Sequence, residues 1–252
     1  MLYWYTFLLS KNFKNKYSFI IKQLDMIRSV KKVPNLVPIK NVIISVFDKI
    51  GLDILVPGLI KNCPDVMIYS TGGTFKFIQD LLGSEESGKH LKEVSEYTGQ
   101  PETEGGLVKT LHHKLFLGYL TETFCEAHQE DMKREGAVPI DLVVMNLYPF
   151  SKVVEKESVT IEEARGNIDV GGPSTLRAAA KNWHRVMTLA SPEWYSGFVN
   201  YLENNQGKTD AYIRFIAWKM TFKTLSEYDA EIYKYLSSRA HFPEEGETYE
   251  FV

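Results

Sequence analysis

Cysteine is scarce in this sequence of 252 residues: only Cys63 and Cys125 are present, and they lie far apart. A disulfide framework and a zinc knuckle are therefore not expected. His112 and His113 are adjacent, and adjacent side chains on a helix or strand do not point to one ion, so we predict no metal site. No apolar run approaches the ~20 residues that a membrane-spanning helix needs, and we predict no membrane partner.

A strong net charge is also missing, since 29 lysines and arginines face 32 acidic residues and the net charge is −3. The charge is uneven: residues 1–40 hold eight basic residues and one acidic residue, so residues 41–252 carry a net charge of −10. Nonspecific nucleic-acid binding needs a basic face, and we predict no nucleic-acid partner. A phosphate ligand would instead need local loops and a few well-placed cations.

Residues 1–40 are predicted to be an N-terminal extension that is poorly ordered or that results from a mis-assigned start. The apolar stretch 1–9 follows no basic residue and precedes no small-residue cleavage site, so it is a weak signal peptide. Met26 would be a reasonable start, and a segment that touches a membrane surface is the alternative. We expect the globular domain at 41–240 and a tail at 241–252, in a cytoplasmic protein.

Apolar, β-branched runs alternate with segments of helical spacing through the rest of the chain. Strands are predicted at 42–46, 66–69, 92–96, 141–149 and 186–189, and helices at 51–62, 75–82, 160–165, 193–203, 210–236 and from 171 onward, with a loop at 83–91. This order predicts an α/β fold of three layers, a mostly parallel sheet with helices on both faces. Ligands of such sheets bind beyond the carboxyl ends of the strands, where the loops 45–51, 70–74, 146–148 and 169–174 fall.

Two of these loops have the composition of a phosphate site. The first comprises Thr71, Gly72, Gly73 and Thr74. It lies between a strand and a helix, so its backbone N–H groups, its hydroxyls and the helix N-terminus could surround an oxyanion. The second contributes the hydroxyl of Ser45 and the cation of Lys49, with Asp48 directly before the lysine. Each motif alone fits a structural role as well: a tight turn at 71–74, and a helix capped by Asp48.

Two further segments carry groups that could act on a bound ligand. Lys109 and Thr110 follow two glycines, and the alternative for this lysine is a plain surface charge. Before the helix that begins near Pro173, the N–H groups of Val170 and Gly171 could hold an oxyanion next to Asp169.

Lys181 lies four residues after Arg177, so the two share a helix face. A buried lysine at this position could transfer a proton, because burial readily lowers a lysine pKa. The alternative is a pair of solvated charges. Tyr148 could orient a substrate amide, or it could simply be an aromatic residue at a strand end.

Six segments occur in an order that is typical of one family. They are Ser45–Gly51, Ser70–Thr74, Val108–His112, Asn146–Phe150, Asn167–Pro173 and Arg177–Asn182. Together they resemble the N-terminal IMP cyclohydrolase half of the bifunctional AICAR transformylase/IMP cyclohydrolase family, over about residues 41–240. The resemblance implies a methylglyoxal-synthase-like fold, a homodimer, and neither a metal nor a redox cofactor.

The resemblance also implies a reaction, the ring closure of the ribonucleotide FAICAR to IMP with loss of water. The implied catalytic residues are Lys109, Tyr148, Asp169 and Lys181. The implied substrate-binding residues are Ser45, Asp48, Lys49, Thr71, Gly72, Gly73, Thr74, Val108, Thr110, Asn146, Val170 and Gly171. The transformylase half, which would follow near residue 240, is absent from the sequence, so a separate enzyme would supply FAICAR.

Four positions depart from the family pattern. The family usually has Ser at Phe47, Arg at Leu107, Pro at His113 and commonly His at Phe116. Losing a hydroxyl and an arginine near the phosphate should weaken its binding. Two alternatives therefore stay open: a catalytically weak or inactive module that binds a nucleotide or a protein partner, and a triose-phosphate lyase of the methylglyoxal-synthase type.

Overall fold

The computed structural model describes residues 30–101, 103, 108–156 and 159–239. The N-terminal segment before residue 30, Leu107 and the tail from residue 240 lie outside the described residues. The larger of the two units into which the chain divides begins at Pro34.

A buried arginine explains why residues 34–40 belong to this larger unit. Arg214 is fully buried and donates hydrogen bonds to the carbonyl oxygens of Pro34 at 2.6 Å, Asn35 at 3.3 Å and Thr209 at 2.6 Å. Burial lowers the pKa of Arg214 to about 10. Carbonyl oxygens thus satisfy a desolvated cation, and the chain around Pro34 is tied to the rest of the unit.

The strands form two sheets. In chain order they are β1 (Val37–Pro38), β2 (Asn41–Ile44), β3 (Met67–Ser70), β4 (Leu91–Glu93), β5 (Leu142–Val144), β6 (Met187–Leu189) and β7 (Lys208–Thr209). The main sheet is parallel and has the order β4–β3–β2–β5–β6, while β1 and β7 pair antiparallel. At its centre Val42 pairs with Ile68 on one side and with Leu142 on the other.

Helices connect these strands. They are α1 (Leu52–Asn62), α2 (Gly72–His90), α3 (Val94–Thr98), α4 (His113–Leu120), α5 (Glu126–Glu135), α6 (Phe150–Val154), α7 (Ile161–Gly166), α8 (Gly171–Lys181), α9 (Tyr195–Asn204) and α10 (Ala211–Ser238). A 3-10 turn at Pro192–Trp194 precedes α9. Among the described residues, none of these helices combines the length and apolar character needed to cross a membrane.

Alternate residues of the central strand enter two hydrophobic cores, one on each face of the sheet. Val42 and Ile44 pack in one cluster with residues of α1 and α9, whereas Ile43 packs in the other with residues of α4 and α8. All three strand residues are fully buried. This two-sided burial is what a parallel sheet covered by helices requires, and the predicted three-layer α/β fold is confirmed.

Local sequence signals predicted some element boundaries correctly and others incorrectly. Thr160 caps α7 in a capping box with Glu163, as its spacing indicates. The predicted loop at 83–91 is wrong, because the chain bends at Gly83 (φ 73°) and then continues as helix to His90. Lys89 pairs there with Glu85 and with Glu86, so the polar composition belongs to a solvated helix. Helices α3, α4, α5 and α6 were not predicted, and the predicted strands 92–96 and 141–149 extend beyond β4 and β5.

Candidate active site

The loop after β2 is fastened to the start of α2 by hydroxyl groups. Ser45 Oγ lies 3.0 Å from Thr71 Oγ1. Thr74 Oγ1 donates to the Val46 carbonyl at 3.0 Å and accepts from the Val46 N–H at 3.2 Å. Because its single proton is given to Val46, Thr74 holds this loop in place, while Ser45 and Thr71 lie side by side at the sheet edge.

Asn146, at the end of β5, holds the same loop from the other side. Its amide donates to the Asp48 carbonyl at 2.7 Å and accepts from the Asp48 N–H at 2.9 Å. The Asp48 carboxylate in turn accepts from the Ile50 N–H at 2.9 Å. Asn146 and Asp48 therefore shape the loop on which Lys49 stands.

The Lys49 ammonium lies over the glycine turn. A Cβ on Gly73 would be 4.0 Å from Lys49 Nζ, and this ammonium donates to the Phe47 carbonyl at 3.4 Å. Gly72 and Gly73 open α2, a helix of 19 residues whose N-terminus adds positive potential. A cation, exposed backbone and a helix N-terminus thus converge, as an anion site requires.

Phe47, one of the departures from the family pattern, contacts a predicted site residue. Its ring centroid is 4.2 Å from that of Tyr148, with 53° between the ring planes. Both rings remain exposed, Phe47 at 46% and Tyr148 at 42%. The pair forms an apolar surface beside the Lys49 loop, where a planar group can pack.

The loop at 108–110 joins the glycine turn to the start of α8. Val108 and Lys109 line a small pocket together with Thr71 and His112. Thr110 Oγ1 lies 3.5 Å from Thr175 Oγ1, and a Cβ on Gly171 would be 3.1 Å from Thr110 Oγ1. Thr110 therefore packs directly on the first residue of α8.

His112 was not among the predicted site residues, although it lines the same pocket. It caps α4 by accepting a hydrogen bond from the Lys114 N–H at 3.2 Å. Burial lowers the pKa of His112, and the charges of Lys114 and His113 lower it further. Both effects favour the neutral form of the ring at this pocket.

Asp169 is fixed at the N-terminus of α8. Its carboxylate accepts from the Gly172 N–H at 2.9 Å, and its own N–H donates to the Tyr228 hydroxyl at 2.7 Å. A Cβ on Gly172 would be 2.5 Å from Asp169 Oδ2 and 2.8 Å from Leu147 Cδ2. Asp169 thus adjoins the loop that carries Asn146 and Tyr148, and Val170 beside it is 60% exposed. Tyr228, on the distant α10, carried no signal in the sequence.

Lys181 is not brought to this group within one chain. It is the last residue of α8, whereas Asp169 precedes the first residue. The 11 residues of the helix span about 15 Å, which is far longer than a lysine side chain. Lys181 is exposed at the far end, where no contact with the other predicted residues is described.

Comparison with known proteins places the chain in a family. The model of the MGS-like domain matches residues 58–174, and that of the AICARFT/IMPCHase bienzyme matches residues 179–251. The chain belongs to the AICARFT/IMPCHase family and carries an MGS-like domain. The family resemblance and the fold predicted from the sequence are thereby confirmed.

Individual relatives show how much of the chain is shared. The bifunctional purine biosynthesis protein PurH of Leptospira biflexa is 42% identical over 81% of this chain and 38% of its own length. PurH of Magnetococcus marinus is 42% identical over 79% of this chain and 36% of its own. The chain thus spans under two fifths of these relatives. The crystal structure of ForH superposes with a TM-score of 0.65 and 27% identity, over 79% of this chain and 99% of ForH.

Proposed function

We propose that the chain is an IMP cyclohydrolase that closes the purine ring of FAICAR in purine biosynthesis. The observation that carries the proposal is the pairing of two half-sites at one sheet edge. Lys49 and the Gly72–Gly73 turn suit a 5′-phosphate, and Asp169 with the N-terminus of α8 suits the reacting amide groups. The 108–110 loop joins them. A ribonucleotide has this layout, with its phosphate at one end and its base at the other.

The reaction needs a bond, a proton shift and a leaving water. The carboxamide nitrogen of FAICAR attacks the formyl carbon and loses one proton, while the formyl oxygen becomes an alkoxide and takes one. The resulting hydroxyl group then leaves as water with the proton of the formamido nitrogen, and a C=N bond forms in the new ring. Tyr148 and Asp169 would orient the carboxamide. The N–H groups of Val170 and Gly171 would stabilise the alkoxide. Because both groups belong to one substrate, orientation supplies much of the acceleration.

Lys181 can serve this site from a second copy of the chain. Its distance of about 15 Å from the start of α8 rules out a role beside Asp169 of the same chain. In a two-fold symmetric dimer, the end of α8 in one copy can face the start of α8 in the other. The proposed enzyme is therefore a homodimer in which each Lys181 transfers the proton in its partner's site.

Turnover of FAICAR tests the proposal. Purified protein should convert FAICAR to IMP, followed by the absorbance of IMP. Asp169→Asn should reduce kcat strongly, since it keeps the shape and removes the charge. Asp53→Asn makes the same chemical change on the exposed surface of α1 and should leave kcat unchanged.

Two other outcomes would replace the proposal. Binding of IMP without any turnover at high protein concentration would make the chain a nucleotide-binding module, for which Phe47 in place of a phosphate-binding hydroxyl is the favouring observation. Release of phosphate from a triose phosphate, with no IMP formed, would make it a lyase.

A further inference from the structure

Three side chains with metal-binding atoms lie together in the connection between α4 and α5. Glu122, Cys125 and His128 each offer one such atom, and these atoms all lie within 4.8 Å of one another. Cys125 is buried, and the other two are half-buried. We call this group the Glu122–Cys125–His128 cluster.

Side-chain hydrogen bonds hold the backbone around the cluster in place. The Thr121 carbonyl accepts from Asn182 Nδ2 at 3.0 Å and from Arg185 Nε at 3.3 Å. The Glu122 carbonyl accepts from Gln129 Nε2 at 2.9 Å. The cluster is therefore preorganised, so an ion would not have to order a free loop.

The cluster lies at the edge of the sheet opposite the proposed ring-closing site. Asn182 and Arg185, which hold Thr121, lie in the connection that leads into β6. Arg185 also forms an ion pair of 3.2 Å with Asp141, which comes directly before β5. These are the amino-terminal ends of the strands, whereas Lys49, Thr71 and Asn146 follow the carboxyl ends.

The chemistry of the three donor atoms indicates which metal ion the cluster would bind. A thiolate with an imidazole and a carboxylate suits Zn²⁺, whereas Mg²⁺ and Ca²⁺ prefer oxygen alone. Zn²⁺ binds sulfur at about 2.3 Å and nitrogen at about 2.0 Å, so the 4.8 Å spacing must close by roughly 1 Å through side-chain rotation. His128 Nδ1 accepts from the Glu122 N–H at 3.2 Å, and the ring must give up this hydrogen bond when either of its nitrogens binds the ion.

We propose that the Glu122–Cys125–His128 cluster is a Zn²⁺ site with water at the fourth position. The Cys125 thiol releases its proton and binds as thiolate, and the two negative charges of Cys125 and Glu122 balance the ion. The ion joins the start of α5 to the loop before it, and it raises the stability of the folded chain by binding that form alone. This site is independent of ring closure.

Cobalt titration tests the site, because Co²⁺ bound to thiolate absorbs in the near ultraviolet by charge transfer. Metal-free protein should develop this band up to one Co²⁺ per chain, and added Zn²⁺ should remove it. Cys125→Ser should abolish the band, whereas Cys63→Ser, which alters the second buried cysteine, should keep it. No band in the unaltered protein, or a band that survives Cys125→Ser, overturns the proposal.

The other two ligands give an independent check. Changing groups that merely support a ligand weakens metal binding 10- to 100-fold, so Glu122→Gln and His128→Asn should each weaken Co²⁺ binding by at least about 100-fold. Their melting temperatures without metal should match that of the unaltered protein, and added Zn²⁺ should raise only the latter. Equal Zn²⁺ shifts in all three proteins would refute the site. IMP formation should be the same in all, so failure of ring closure leaves this test intact.

Discussion

Replacing Gly172 by alanine is the sharpest perturbation of the proposed site, because the added methyl group has no room. It would lie 2.5 Å from Asp169 Oδ2 and 2.8 Å from Leu147 Cδ2. Both contacts are about 1 Å shorter than ordinary van der Waals separations. The carboxylate of Asp169 must therefore move away from the start of α8, and its 2.9 Å hydrogen bond from the Gly172 N–H must lengthen.

The expected change in the free energy of unfolding is the difference between two opposing effects of the added methyl group. Overpacking a tight site costs about 1–3 kcal/mol, and alanine in place of glycine in a helix returns about 0.5–1 kcal/mol. We expect Gly172→Ala to lower the free energy of unfolding by about 1–2 kcal/mol. A carboxylate displaced by about 1 Å costs about 100-fold in rate, so kcat for IMP formation should fall far more than stability explains.

Urea denaturation and FAICAR turnover measure the two effects. Gly197→Ala is the matched control, since it makes the same change inside α9 where nothing lies within 4 Å of the added methyl group. It should gain about 0.5–1 kcal/mol in stability and keep its activity. Unchanged turnover in Gly172→Ala would refute the role given to the position of Asp169.

Three further perturbations have expected outcomes. Phe47→Ser restores a hydroxyl near the phosphate and should lower KM for FAICAR. It should leave kcat unchanged, because the phosphate binds equally well in the ground and transition states. A higher KM in steady-state kinetics would contradict this prediction. Asn146→Ala removes both bonds to the Asp48 backbone and should raise KM and cost about 1–2 kcal/mol of stability by urea titration. Burial lowers the pKa values of His112 and His184, so stability is complete above about pH 6.5 and falls as the pH drops through the folded pKa values. Urea titrations should show this fall, and His112→Gln should reduce it.

Sequence alone predicted the sheet because its strands are buried on both faces. Ile43 and its neighbours form a short β-branched run with no polar face. Where such runs alternate with helices along a chain, the expected structure is a parallel sheet covered by helices on both faces. The order of strands and helices also predicted that the loops of Ser45 and Thr71 lie at one edge of the sheet, and the hydroxyl oxygens of these two residues are 3.0 Å apart. Parallel strands end at the same edge, so these contacts follow from connectivity.

The remaining parts of the site depend on packing between distant segments. The bond from Asp169 to Tyr228 joins residues 59 positions apart, and no local pattern specifies it. The contact of Phe47 with Tyr148 depends in the same way on two loops meeting. The separation of Asp169 and Lys181, in contrast, follows from helix length alone.

A mixture of two inactive variants tests ring closure in a site built from two copies. Lys181→Ala and Asp169→Asn should each be inactive with FAICAR. After subunit exchange in an equal mixture, about half of the dimers contain one copy of each variant and have one intact site, so about a quarter of the normal IMP-forming activity should return. No gain above the separate variants, with exchange demonstrated by differently tagged chains, would contradict the proposed shared site.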